Sequence, residues 1–195
     1  FFFIMGSLML EVAIVHQGLD KHLALTIISF TGNKTWKISF GFVAVSAIMA
    51  SFIGEHTVAA MMLPVALSLI KNSGIGLDKA TRLSTLLLFS IAYGCALGSI
   101  GTPSGGGRNV IMIGYLTEFG LGDISYLDWI KFAYPMLLLE IPLAFGILWY
   151  TFTPERRIMD SAVRKLKIQV TREGPLNNNQ KLSIVIFFID RKSVV

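Results

Sequence analysis

The sequence predicts an all-α integral membrane protein, and three observations carry that expectation. First, 53% of its 195 residues are hydrophobic and only 15% are charged, with a mean hydropathy of +0.65. A soluble domain is nearer a quarter charged. Second, long uncharged stretches alternate with short polar ones. Third, the densest clusters of polar and helix-breaking residues inside the apolar stretches are Gly54–Thr57 and Gly101–Asn109.

The longest apolar run, Ile38 to Ile70, is interrupted only by Glu55-His56. As one helix it would be about 50 Å long, against a bilayer core of about 30 Å. Each half, Ile38–Ile53 and Thr57–Ile70, is slightly short for a span. Lysines stand at both outer ends (Lys34, Lys37, Lys71), and positive charge collects on the cytoplasmic side. The expected solution is a re-entrant helical hairpin with its tip, Gly54-Glu55-His56-Thr57, inside the membrane.

Around this hairpin the other elements follow in order. Phe1–Val15 reads as the end of a span, His16–His22 as a polar turn and Leu23–Phe30 as a short helix. Asn72–Gly76 is a loop by its turn residues, and Asp78–Arg82 is a polar helix start. Leu83–Gly107 carries no formal charge, but its second half holds Gly94, Gly98, Gly101, Pro103, Gly105, Gly106 and Gly107. Glycine costs about 1 kcal/mol and proline about 3 kcal/mol inside a helix. The helix is therefore expected to break near Gly101–Arg108 and resume over Val110–Leu116. Unwound backbone at membrane depth is tolerated only where protein buries it or a wet cavity adjoins it. Such a broken helix facing a hairpin tip is how secondary transporters build their binding sites.

Thr117–Asp128 is acidic and suits the outer face. Ile130–Phe152 is the next span, with Pro135 and Pro142 as possible kinks and Trp129, Trp149 and Tyr150 as interfacial aromatics. The domain reading is a membrane transport region over 1–153, a basic cytoplasmic linker over 154–181, and the start of a further span over 182–195. The closing Asp190–Val195 reads as an artefactual tail. The chain as a whole reads as part of a longer protein.

The net charge of +5 lies largely in Arg156–Lys181, beside a hydrophobic segment, so it implies a membrane-flanking loop and not nucleic acid. The lone Cys95 excludes an internal disulfide and suits a small packed side chain. No metal site is expected, because Glu55-His56 lacks a helical i, i+4 partner. No resident cofactor and no enzymatic activity are expected either.

Glu55-His56 is the sharpest chemical signal. A carboxylate in the bilayer is costly unless paired or protonated, and histidine titrates near neutral pH. The pair suits a group that binds and releases a proton. The plainer alternative is a structural Glu55–His56 or Glu55–Arg108 pair that pins the hairpin. The second constellation, Gly101, Thr102, Ser104, Gly105, Gly106, Gly107, Arg108 and Asn109, offers backbone N–H groups at a half-helix start, two hydroxyls, an amide and a guanidinium able to grip a carboxylate bidentately. Close packing of small residues would explain the glycines but not Arg108. A nucleotide loop is not expected, since Gly-Lys-Ser/Thr is absent. Glu11 and Glu140 suit helix ends or interhelical hydrogen bonds.

Four stretches, HQGLDKHLAL (16–25), GFVAVSAIMASFIGEHTVAAMMLPVAL (41–67), SIAYGCALGSIGTPSGGGRNVIMIGYL (90–116) and ISYLDWIKFAYPMLLLEIPL (124–143), together resemble the divalent-anion/sodium symporter family in order and spacing. The resemblance implies an inverted-repeat secondary transporter of dicarboxylates, citrate or sulfate, coupled to sodium; Glu55 and His56 themselves point instead to coupling by protons. It would work by an elevator-like motion, as a multi-pass protein and homodimer of the inner (plasma) membrane. It covers the first repeat, and the motif residues differ. The family's Ser-Asn-Thr tip falls on Gly54, Glu55 and His56. Its Gly-Thr-Pro-Pro-Asn falls on Gly105, Gly106, Gly107, Arg108 and Asn109. Two alternatives stay open: an anion or metalloid exporter of the same architecture, and a transport-dead anion-binding membrane protein.

Overall fold

The computed structural model describes residues 31–73, 81–120, 122, 124–155 and 157–173. The expectations for Phe1–Val15, His16–His22, Leu23–Phe30, Asp78–Ala80 and 182–195 lie outside these residues, as do Gly74–Gly76 of the expected loop. Among the described residues every extended element is helical; one isolated antiparallel bridge joins Lys34 to Ile158.

Helix α1 (Thr35–Ile53) and helix α2 (Glu55–Asn72) meet at Gly54. Its φ of 98° lies in the left-handed region that favours glycine. The reversal is thus narrower than expected, because one glycine makes the joint. Glu55, His56 and Thr57 form the first turn of α2, where an acidic side chain is favoured by the helix dipole. Helix α1 also starts earlier than the apolar run, since the Thr35 amide donates to the carbonyl of Arg157 (3.0 Å). Nineteen residues of α1 make about 28 Å, so this arm is long enough to cross a membrane.

The two arms return to the same end of the bundle. Residues 157–165 form a strap there, ending in the first turns of an amphipathic helix (Asp160–Glu173). On the α1 side, the Asn33 amide donates to the Asp160 carboxylate and the Met159 amide donates to the Asn33 carbonyl (2.8 Å). On the α2 side, the Ser161 hydroxyl donates to the Asn72 carbonyl (3.1 Å) and Lys165 Nζ to Asn72 Oδ1 (2.9 Å). Met159, Ala162 and Val163 enter the same apolar cluster as Ile38, Phe42, Met62 and Leu69. Part of the stretch read as a basic cytoplasmic linker, 157–165, thus packs on the bundle. Met159, Ala162 and Val163 recur at helical spacing, but the basic residues around them masked the pattern.

Helix α3 (Arg82–Gly98) packs along α1 in parallel, in a constant register. Ser39 Oγ bonds Ser90 Oγ across the seam (2.8 Å, 51 residues apart). A Cβ on Gly94 would sit 2.6 Å from the Val43 carbonyl oxygen, and one on Gly98 2.1 Å from that of Ala47. Thr102 donates to the Ser51 carbonyl, again 51 residues away. Small residues let two backbones approach this closely, as in membrane helix pairs. Gly94 and Gly98 therefore stay helical and serve packing, and the break begins one residue beyond, at Ser99.

The chain then unwinds over 99–106, with a single 3-10 turn at Pro103–Gly105, and resumes as helix α4 (Gly107–Glu118). Helix α4 is longer than expected at both ends. Helix α5 (Tyr126–Thr151) runs through Pro135 and Pro142. Only Leu137, Ile141 and Leu148 of α5 are buried, in a cluster with Val43, Ala47 and Leu86, while Phe132 (81%) and Leu139 (74%) stay exposed. An apolar patch of this extent marks a lipid- or protein-covered face. Helix α6 is the Asp160–Glu173 element of the strap. By length and composition α1 and α5 can cross a membrane, and α3 is a shorter apolar helix.

Candidate functional site

At the end of the bundle opposite the strap, the hairpin joint and the break in α3–α4 come together. Glu55 stands at the first position of α2 and Arg108 in the first turn of α4. Arg108 Nη2 reaches Glu55 Oε2 at 3.2 Å and also donates to the Ser99 hydroxyl. The side chains are 58% and 28% exposed, so the pair sits on an accessible rim. His56 Nε2 lies 3.7 Å from Glu55 Oε1, beyond hydrogen-bond reach, and its side chain is 96% exposed.

Gly54 and Gly106 precede α2 and α4, and neither helix start carries a side-chain cap. The first amides of a helix have no partner within it, and two such starts lie beside one guanidinium. Around Gly107 nothing lies within 4 Å of a Cβ position, and at Gly106 the nearest atoms are ordinary contacts at 3.7 Å. Gly107 is therefore exposed and Gly106 partly so, with no close contact over either.

The remaining members of the glycine constellation face inward and hold the break. Asn109 is 4% exposed; its amide donates to the carbonyls of Ser99 (2.7 Å) and Thr102 (2.8 Å). It ties the carbonyl just past the end of α3, that of Ser99, to the carbonyl of Thr102 in the unwound stretch. Thr102 is fully buried, and its hydroxyl bonds Ser104 Oγ (3.0 Å) besides the Ser51 carbonyl. Ser104 continues to Tyr126 of α5 (3.1 Å). A Cβ on Gly101 would meet Ser51 Oγ at 2.5 Å, and one on Gly105 the Ser99 carbonyl at 2.6 Å. Thr57 is partly buried within the first turn of α2.

Sequence reasoning missed Ser51, Ser99, Tyr126 and Trp129. Ser51 and Ser99 are ordinary small residues in apolar helices, and only the inter-helix register reveals their role. Trp129 was expected as an interfacial aromatic; its indole N–H donates to the Ile100 carbonyl inside the break (2.9 Å). Its place one turn into α5 was the available signal. Among the described residues no group of three or more His, Cys, Asp or Glu could hold a metal ion.

An apolar helical bundle with a broken helix and a glycine-jointed hairpin meeting at one charged pair is the architecture of a membrane carrier. The chain belongs to the sodium:sulfate symporter family, whose transmembrane region matches residues 1–190. It is 27% identical over 201 residues to the sodium-dependent high-affinity dicarboxylate transporter 3 of Caenorhabditis elegans, covering 96% of this chain and 36% of that protein. It is 24% identical over 196 residues to the sodium-dependent dicarboxylate transporter SdcS of Staphylococcus aureus, covering 96% and 38%. The chain thus spans a little over a third of the length of these curated relatives.

Proposed function

We propose that the chain forms part of a cation-coupled carrier for small divalent or carboxylate anions, of the dicarboxylate, citrate or sulfate class. The hairpin α1–α2 is read as re-entrant, and the described region as one half of an inverted repeat. The observation that carries the reading is the meeting of two uncapped helix starts with Arg108. Unpaired amides and the positive end of a helix dipole attract anions, and an arginine fork recognises a carboxylate by paired hydrogen bonds. The relatives named as dicarboxylate transporters support the anion class.

In this reading Gly54, Gly106, Gly107 and Arg108 hold the anion. Asn109, Thr102, Ser104, Gly101 and Gly105 keep the broken backbone in shape, and Thr57 closes the first turn of α2. Glu55 and His56 stand where hydroxyl and amide side chains serve the resembling family, and we assign them to proton coupling. In proteoliposomes of the intact protein, Glu55→Gln is expected to abolish uptake driven by a pH gradient while sparing counterflow exchange. Uptake by Glu55→Gln that still follows an imposed sodium gradient and ignores pH would overturn the proton assignment and leave the anion site standing.

A further inference from the structure

We infer that Glu55 is a resident carboxylate that occupies Arg108 when the site is empty, and that the transported anion binds by displacing it. The inference rests on the anion-carrier reading above and names the regulation of that site. Among the described residues, the polar contacts of Arg108 use a single nitrogen, Nη2, shared between Glu55 Oε2 and the Ser99 hydroxyl. A guanidinium carries five donors in a fixed fork, and its strongest carboxylate complexes use two of them in parallel at about 2.7–2.9 Å. The Glu55 contact is one-pronged and, at 3.2 Å, longer than that. It holds the charge without closing the fork.

A free carboxylate entering over Gly106 and Gly107 can engage the fork with both oxygens and take the neighbouring α4 amides as well. Glu55 competes only through its tether, an advantage of effective concentration. Displacement does not disturb the helices. Glu55 and Arg108 each project from a first turn that follows a glycine, and Glu55 remains at the start of α2, where negative charge is favoured.

The exchange has a consequence for coupling. With the site empty, the charges of Glu55 and Arg108 neutralise one another. When an anion takes Arg108, the Glu55 carboxylate is released and needs a cation. Among the described residues, the charged or titratable groups within ion-pair range of it are Arg108, now occupied, and His56. Anion binding therefore raises the affinity for a cation at Glu55, and by linkage the cation raises the affinity for the anion by the same factor.

The test is the dissociation constant of succinate, measured by calorimetry on the purified intact protein and on Glu55→Gln, at acid and alkaline pH, with and without sodium. A latch closed nine-tenths of the time weakens apparent affinity about tenfold. Glu55→Gln should bind succinate about tenfold more tightly and lose most of the cation dependence seen in the wild type. Glu55→Asp, whose shorter side chain retains the charge but loses reach, should fall between them. Unchanged or weaker binding by a Glu55→Gln protein that melts like the wild type would overturn the latch while leaving the carrier reading intact. Failure of both wild type and Glu55→Gln to bind succinate or sulfate would overturn the carrier reading and the latch with it.

Discussion

The two ends of the bundle treat their helix starts in opposite ways. At the strap end, α3 begins under Thr81, whose hydroxyl accepts from the Ser84 amide (3.2 Å), and under Glu155, whose carboxylate accepts from the Arg82 and Leu83 amides (2.9 and 3.1 Å). The first amide of α1 donates to Arg157 there. At the other end, α2 and α4 begin on glycines with no side-chain cap. A cap is worth about 0.5–2 kcal/mol. One end satisfies its orphan amides with side chains, and the other starts its helices without a side-chain cap.

The largest expected effect comes from the seam that joins the two ends. In Gly98→Val the new side chain would collide with the Ala47 backbone, where even a bare Cβ approaches to 2.1 Å. Neither backbone can yield without parting α1 from α3. We expect a loss of at least about 3 kcal/mol, at the top of the range for overpacked cores, read as a collapse of the thermal transition in detergent. A Gly98→Val protein that melts like the wild type would show that the helices are not in this register.

A second substitution converts the open end into a capped one. Gly106 has extended backbone (φ −163°), which any residue adopts, and its Cβ position meets only ordinary contacts. Gly106→Asp should cap α4 and add a few tenths of a kcal/mol of stability. It should weaken succinate binding at least about tenfold, which is about 1.4 kcal/mol, because the amides are filled and the added charge repels the ligand. Equal binding by Gly106→Asp would show that the α4 start is not part of the anion site.

The smallest effect lies at the strap end. Burial opposes ionisation of Glu155, but the backbone N–H groups around it, including those of Arg82 and Leu83, and the Arg82 charge together hold its carboxyl below the ordinary value of 4.5. A carboxyl with a depressed folded value contributes stability above its unfolded value and loses it as pH falls through the folded one. Acidification below about pH 4.5 should therefore lower the protection of the Arg82 and Leu83 amides, taken relative to their intrinsic exchange rate at each pH, in the wild type. Glu155→Gln should show the lower protection already at neutral pH and little further change on acidification. Succinate affinity at neutral pH should not move.

What could be read from the sequence followed from cost. Glu55-His56 and the Gly101–Asn109 cluster stand out because charge and helix breakers are expensive in apolar helices, and these are the two places the fold brings together. The same logic could not tell which members face inward. Asn109 and Arg108 are adjacent and both polar, yet one is buried on the carbonyls of Ser99 and Thr102 and the other lies open, a distinction set by helix phase. The strap was hidden because its apolar residues are few and its basic ones many. Trp129 was read by its position near a helix end, a rule that carries no information about a hydrogen bond to a backbone distant in sequence.

The parallel register of α1 and α3 has one more implication. Glycines fitted against carbonyl oxygens leave no slack for sliding or tilting, so these two helices behave as a single girder with Gly54 at one extremity and the unwound 99–106 stretch alongside it. Prying those helices apart would have to break the Ser39–Ser90 and Ser51–Thr102 contacts together, so the joint and the gap keep their spacing and shift, if at all, as one body.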